Sequence, residues 1–398
     1  MSPPLPARFE RAPGVYLHPV PRPLFRPGGV LTAFLADVET GDKMPFRLTH
    51  WKQLAPCEKP DAKVDVNLCS AVRGFFENGG QECWLIPDRP DAPDLDRYAW
   101  WEQCLEELEV DVLCAPTLAR PGNEARLVDL QSHLLESCAR PGCFAILDAS
   151  VAVLATDSPH LQWDAHARRN GALYHPWVLV QGGCRRCRGQ RQVDGIQCAE
   201  CDGRGTGLVP PCGHVAGIYA RVDARRGLHK APANEELLGI IDVADALTDT
   251  RQGELNRRGI NCLRVFQNQG ILLWGARTLS LEPDWRYINV SRLLLSVEKT
   301  LRRLALEAVF EPNDQRLWAW LSRTLNSYLG QLFQRGALRG STPLEAFYVR
   351  CDAQTNPPGV REQGLLLAEV GLAPILPGEF IVLRLLQGPG GASVAFNP

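Results

Sequence analysis

The sequence predicts a mixed α/β fold, with mixed sheets flanked by helices. Three observations lead there. Between residues 30 and 150, apolar strand-like runs alternate with helical stretches at roughly 30-residue spacing. The composition, 45% hydrophobic and 22% charged, is that of a folded globular chain. The length, 398 residues, exceeds one typical domain and predicts two or three structural units.

Residues 1–29 are proline-rich ("PPLPARF", "HPVPRPLFRPGG") and cannot be helical, because proline fixes φ and bars helix at the residue before it. They read as an extended arm, with Val15, Tyr16 and Leu17 apolar enough to dock on something. Val30–Val38 is a short apolar run between glycines and predicts a buried strand. "VNLCSAVRGFFENGG" predicts a helix stopped at Gly79–Gly80, and "CWLIP" a strand. The helix "DLDRYAWWEQCLEELEV" and strand "DVLCAP" follow, then the helix "LVDLQSHLLESCARPG" and strand "CFAILDAS".

Further on, "NEELLGIIDVADAL" predicts a helix capped by Asn234, with Glu235 and Glu236 in its first turn. "CLRVFQNQGILLWGARTL" reads as two strands around a glycine turn. Two long helices come next. Leu294, Val297, Leu301, Leu304 and Ala308 share one face of the first, with Arg292, Lys299, Arg302 and Arg303 opposite. The second starts near Asn313–Asp314, carries Leu317, Leu321, Leu325, Tyr328 and Leu332, and stops at Gly336. "EAFYVRCD" and "EFIVLRLLQ" are strands, and "GPGGASVAFNP" reads as an irregular end.

A formal net charge of −2 gives no global argument for nucleic acid or an anionic membrane as partner. No run approaches ~18 apolar residues, so no membrane insertion is expected. The first residues lack the apolar core of an export signal. Cytoplasmic assembly is therefore expected, with thiols reduced. On that reading most cysteines outside one cluster, such as Cys69, Cys104, Cys138 and Cys262, are small buried hydrophobes.

The cluster is Cys184, Cys187, Cys198 and Cys201, two Cys-x-x-Cys pairs ten residues apart. Each such turn places two thiolates on one ion, and two turns complete a tetrahedron, the pattern of structural Zn(2+). "CAECDGRG" matches the Cys-x-x-Cys-x-Gly-x-Gly repeat of the cysteine-rich region of Hsp40-type co-chaperones. Disulfides are the main alternative. Catalytic zinc fits less well, since four thiolates leave no open position. Arg185, Arg186, Arg188, Arg191 and Arg204 are largely offset by Asp194, Glu200 and Asp202, so a solvated basic surface is the better reading than a phosphate site. The expectation is a structural zinc ribbon over residues 181–209, inserted as a loop. Cys212 and His214 follow closely but are not expected to be ligands.

Catalysis finds no support. No Walker loop, G-x-G-x-x-G after a strand, G-x-S-x-G or H-E-x-x-H occurs. Asp242, Asp245 and Asp249 would lie along one helix and read as solvated carboxylates. Cys212-Gly213-His214 is a poor nucleophile–base pair, because adjacent residues rarely face each other. No enzyme activity is expected.

Stretches along nearly the whole chain carry a family resemblance: "APGVYLHPV", "LTAFLADVETGDKMPFRLTHW", "FFENGGQECWLI", "ALYHPWV", "PPCGHVAGIYARVDARRGLHKAPANEEL", "LNRRGINCLRVF", "DWRYINVSRLL", "GALRGSTPLEAFYVRCD" and "APILPGEFI". In this order they closely resemble the tail sheath proteins of contractile phage tails, pyocins and extracellular contractile injection systems. The ribbon falls between "YHPWVLV" and "PPCGHVAG", where the family pattern has only a short connection, so it reads as an insertion. Ser291 stands where the family usually has Arg, and Gly378 where Ala is common.

The resemblance implies an N-terminal exchange arm (1–29), a sheath domain in two parts (30–180 and 210–375) around the ribbon, and a C-terminal strand and exchange arm (376–398). It implies a structural subunit that polymerises with itself, six per ring, around an inner tube protein, and contracts to drive the tube through a target envelope. Baseplate and cap proteins are implied partners, in a phage tail or tail-like particle, including one released from the cell. Val15, Tyr16, Leu17, Phe380, Val382 and Leu383 are expected to make inter-subunit arm contacts. Arg292, Lys299, Arg302 and Arg303 are the tube-facing candidates. The alternative function is a zinc-ribbon nucleic-acid-binding or chaperone-like module.

Overall fold

The computed structural model describes residues 30–36, 44–54, 64–119, 126–139, 142–150, 154, 163–375, 381–388 and 391–397. The arm 1–29 with Val15, Tyr16 and Leu17, and also Gly378 and Phe380, lie outside the described residues. The chain divides into two compact units, one within Gly29–Val297 and one combining Glu298–Ala373 with the C-terminal strands. The division falls inside a helix, between Val297 and Glu298.

In the first unit a nine-stranded sheet runs in the order β11-β14-β13-β6-β5-β4-β1-β3-β2. Six of these strands are parallel neighbours: β13 (Ile260–Phe266), β6 (Gly171–His175), β5 (Phe144–Asp148), β4 (Val112–Cys114), β1 (Thr32–Ala36) and β3 (Cys83–Pro87). The antiparallel strands β2 (Phe46–Leu48), β14 (Gly270–Trp274) and β11 (Glu235–Glu236) finish the two ends. A parallel strand pair needs a crossover, and α1 (Val66–Glu77), α2 (Asp94–Leu108) and α3 (Leu127–Ala139) supply the first three. Asp65 caps α1, its Oδ1 accepting from the Asn67 N–H at 2.7 Å.

Buried on both faces, the strands sort their residues by alternation. Phe34 and Ala36 of β1, with Phe144 and Ile146 of β5, pack with Leu68, Ala71 and Phe75 of α1 and with Val215, Ile218 and Tyr219 of α4 (Cys212–Arg226). Ala33 and Leu35, with Ala145 and Leu147, pack with Trp101 and Leu105 of α2 and Leu134 and Leu135 of α3. The result is three layers, helix on sheet on helix.

Helices α1 and α4 come unusually close. A Cβ on Gly213 would sit 2.2 Å from the Ala71 carbonyl oxygen, and one on Gly217 2.4 Å from that of Phe75. Only glycine at both positions permits that approach. Asn78 ties the end of α1 to a distant loop: its Nδ2 donates to the carbonyls of Gly74 (2.8 Å) and Leu238 (3.0 Å), and its Oδ1 accepts from the Leu238 N–H (2.9 Å).

The helix expected at 234–247 does not form. Asn234 is left-handed (φ 59°) rather than a cap, and Gly239 has φ 77°. The segment instead gives the short strands β11 and β12 (Asp242–Val243), which pair with β14 and with β7 (Val178–Gln181). Ladder hydrogen bonds along two existing strands outweigh the local helical pattern. β7 also pairs antiparallel with β10 (Thr206–Val209), making a three-stranded sheet β10-β7-β12 whose β7–β10 turn carries the ribbon. Within the ribbon, β8 (Gln192–Val193) and β9 (Ile196–Gln197) form a small hairpin.

After α5 (Asp249–Arg257), helix α6 (Ile288–Glu307) begins in the first unit and ends in the second. Leu294, Val297, Leu301, Leu304 and Ala308 are all buried, as their spacing predicts. Helix α7 (Gln315–Gln334) is capped by Asp314, whose Oδ1 accepts from the N–H groups of Arg316 and Leu317. It buries Leu317, Leu321, Leu325, Tyr328 and Leu332. The short helices α8 (Pro343–Ala346) and α9 (Pro358–Glu362) flank β15 (Phe347–Arg350).

β15 leads an antiparallel meander with β16 (Leu366–Leu372), β17 (Ile381–Gly388) and β18 (Gly391–Asn397). The end expected to be irregular is therefore a strand. Val382 and Leu383 register with Gly371 and Val370 of the same chain.

Candidate functional site

The ribbon is built from two copies of one turn. Arg188 donates its N–H to the Cys184 carbonyl (2.9 Å) and Gln190 to that of Cys187 (2.8 Å). In the second copy Gly203 donates to Cys198 (3.1 Å) and Arg204 to Cys201 (2.9 Å). Both copies turn left-handed directly after their second cysteine, at Arg188 (φ 47°) and Asp202 (φ 49°), and stay so at Gly189 (φ 92°) and Gly203 (φ 68°). That curl aims the thiols of both turns at one point.

All four Sγ atoms lie within 4.8 Å of one another, with Cys184–Cys198 at 3.8 Å and Cys187–Cys201 at 3.5 Å. None of the four is in a disulfide. Each is at most 5% exposed, and only Val193 packs against them as a partly buried hydrophobe. The Gly205 N–H donates to Cys201 Sγ at 3.2 Å. Outside the turns, the Gly182 N–H donates to the Gly205 carbonyl at 2.9 Å, and Arg188 Nη1 reaches the Val64 carbonyl at 2.7 Å. Arg185, Arg186, Arg191 and Arg204 are exposed.

Cys212 and His214 belong to the first turn of α4, not to this cluster. The Cys212 N–H donates to Asp148 Oδ1 at 2.9 Å, and burial pushes the Cys212 thiol well up. His214 is sealed against Gly74, and burial lowers its imidazole to about 4. Asp242, Asp245 and Asp249 do not share a helix: Asp242 lies in β12 and Asp249 opens α5. Asp245 Oδ2 sits 3.6 Å from His175 Nε2. Cys69 is disulfide-bonded, which corrects the expectation of a reduced thiol there.

Arg292 leaves the tube-facing set. Its guanidinium donates through Nη1 (3.1 Å) and Nη2 (2.5 Å) to the two oxygens of Asp223, with both side chains under 5% exposed. It also stands over the Tyr219 ring at 4.6 Å, and the Tyr219 hydroxyl meets that of Tyr174 at 2.6 Å. The face opposite the apolar stripe of α6 is itself buried there, so heptad spacing alone misplaced this residue. Arg302 pairs with Glu298 one turn earlier at 2.5 Å, and Lys299 and Arg303 are half-buried. Ser291, where an arginine was expected, is buried and donates to the Arg169 carbonyl at 2.5 Å.

Sequence reasoning missed the Arg292–Asp223–Tyr219–Tyr174 network, since its members lie up to 118 positions apart and nothing local pairs them. It also missed two exposed apolar side chains of the second unit, Phe310 (88% exposed, φ 67°) and Leu344 (90%).

The model of the phage tail sheath protein central domain matches residues 101–279, and that of the phage tail sheath C-terminal domain matches residues 280–386. A tail sheath protein of Salmonella phage ViI is 28% identical over 170 residues, 42% of this chain. The chain spans between 26% and 44% of the length of the curated relatives it matches. Among solved structures, the anti-feeding prophage (AFP) baseplate contains a chain 28% identical, with TM-score 0.69 over 94% of this chain and 98% of that one. A chain of the contracted PVC sheath complex, an extracellular contractile injection system, is 28% identical, with TM-score 0.63 over 93% and 96%. Two consecutive domain models without a gap between them, covering residues 101–386, place this protein: it belongs to the phage tail sheath family.

Proposed function

We propose that this chain is the repeating subunit of a sleeve that assembles on an inner tube, six copies per ring, and shortens to push the tube through a target envelope. The observation that carries the reading is the 28% identity over 94% of the chain to a subunit of the six-fold AFP baseplate. Likeness to the AFP and PVC sheaths in their contracted states supports the shortening. Sheath copies, the tube protein, baseplate and cap are the partners, and the product is a phage tail or tail-like particle assembled in the cytoplasm. Among the described residues no helix is long and apolar enough to cross a membrane. The nucleic-acid-binding or chaperone-like alternative has no support among the matched proteins.

Subunits linked head to tail without closure form a filament. The links are the arm 1–29 and the C-terminal strands, adding to a neighbour's sheet through main-chain hydrogen bonds of about 1 kcal/mol net each. In the single chain β17 pairs with its own β16, which leaves β18 as an edge strand. Exchange then substitutes the same register between copies. Phe310 and Leu344 offer apolar surface that packing of neighbours would cover. No chemical step is needed: two packings of the polymer differ in free energy, and release of the extended one does the work.

Removing residues 1–29 tests this. The full chain pellets as polymer on ultracentrifugation, while the truncated chain stays in the supernatant with its body folded. Equal pelleting of both would overturn the arm-linked sleeve. The tube contact now rests on Lys299, Arg302 and Arg303. Charge reversal at Lys299 and Arg303 is expected to weaken assembly on the tube, and undiminished assembly would remove those residues from the interface.

A further inference from the structure

We propose that Cys184, Cys187, Cys198 and Cys201 bind one Zn(II) as a tetrathiolate, and that this ion is what folds residues 182–205. The ribbon has no apolar interior. Its fully buried side chains are the four cysteines; of the two apolar residues at its hairpin, Val193 is half-buried against them and Ile196 is 74% exposed. Burial of apolar area cannot hold such a segment.

The thiol geometry matches the ion. Four sulfurs about 2.3 Å from a tetrahedral zinc stand about 3.8 Å from one another. The ribbon's Sγ separations run from 3.5 Å to at most 4.8 Å. A disulfide would need two of them about 2.05 Å apart. The backbone agrees. Arg188 and Asp202 adopt the left-handed region, uncommon in non-glycine residues, at matching positions after each Cys-x-x-Cys. One centre drawing on both turns accounts for the match.

The role is structural. Four thiolates close the coordination sphere and leave no position for water or substrate. Four thiolates on Zn(II) carry a net charge of −2, and Arg185, Arg186, Arg188, Arg191 and Arg204 lie in the same short segment. The turn that holds Cys184 and Cys187 also sets Arg188, whose Nη1 donates to the Val64 carbonyl just ahead of α1. The ion therefore fixes one contact outside the ribbon as well. This inference stands apart from the sheath reading, and either can fail without the other.

The test uses the full chain purified under reducing conditions without chelator. Elemental analysis is expected to give one zinc per chain, released when a mercurial titrates the thiols in the presence of a zinc indicator. The double variant Cys184→Ser/Cys198→Ser loses the zinc, while Cys104→Ser or Cys351→Ser keeps it. By hydrogen exchange, amides of 184–204 lose protection in the double variant, and those of β1 and β5 do not, which shows that the body remains folded. Less than a tenth of a zinc per chain with all four thiols reduced would overturn the proposal. So would stoichiometric iron, peptide mapping that finds these cysteines in disulfides, or unchanged protection of 184–204 once the metal is gone.

Discussion

The nine-stranded sheet and the ribbon hanging from its flank are held by opposite means. In β1 every residue from Thr32 to Ala36 is buried, and the strand feeds two apolar layers by simple alternation. In the ribbon the four cysteines are the buried side chains, and Arg185, Arg186, Asp194, Glu200 and Asp202 are exposed. One region is stabilised by area removed from water, the other, on the zinc proposal, by an ion held where four thiols meet. A chain can carry both because β7 and β10 bring the ribbon's ends together at the edge of a small separate sheet. The difference teaches that the two should fail independently, and each prediction below probes that separation.

The largest expected loss comes from the buried ion pair. Arg292→Met leaves Asp223 charged and enclosed, at a cost of about 3–5 kcal/mol. Urea unfolding followed by tryptophan fluorescence reads the loss, and zinc content of the folded fraction stays unchanged. Adding Asp223→Leu recovers most of it, since the paired charges themselves contribute little net stability.

Leu134→Ala comes next. Leu134 is fully buried between α3 and the sheet, so a cavity there costs about 3 kcal/mol by the same measurement. Asn78→Ala removes two hydrogen bonds joining α1 to the Leu238 loop and one to the Gly74 carbonyl within α1, and costs about 2 kcal/mol. Hydrogen exchange should localise that second loss to α1 and the loop.

A pH-dependent effect belongs to Asp148. Burial raises its carboxyl to about 7, against the lowering effect of the Cys212 N–H. Between about pH 4 and 7 the unfolded chain gives up this proton while the folded chain keeps it. Stability from this group is therefore greatest below about pH 4 and falls as pH rises to about 7, by at most about 1.4 kcal/mol per pH unit. His214, lowered by burial to about 4, slopes the other way over part of that range. The comparison is thus wild type against Asp148→Asn, and the variant should lack the fall between about pH 5 and 7.

The smallest effect on the body should come from the ribbon. Cys184→Ser/Cys198→Ser is expected to change the unfolding free energy of the sheet, read by urea unfolding, by less than about 0.5 kcal/mol, the range of changes remote from a core. A shift of several kcal/mol would mean that the two regions are one cooperative unit.

How far the sequence carried varies with what holds each element. The strands β1, β3, β4 and β5 and the helices α1, α2, α3 and α7 were legible because burial writes a local period into them. The convergence of the four cysteines was legible because two Cys-x-x-Cys pairs are a local pattern. The segment 234–247 was not: its residues suit a helix, and two strands far away in sequence decided otherwise. Helix α4 passed unread, since "CGHVAG" looks like a loop until Gly213 and Gly217 are seen against α1. Arg292 sits at surface-like spacing but meets Asp223, 69 residues away. Its burial depends on a third layer that no single helix pattern encodes.

The most direct measurement of the sheath assignment is a negative-stain image of the purified full-length chain. The account predicts stacked rings or tubes with six-fold symmetry. A preparation that stays monomeric across salt, pH and concentration would contradict it, whatever the fold.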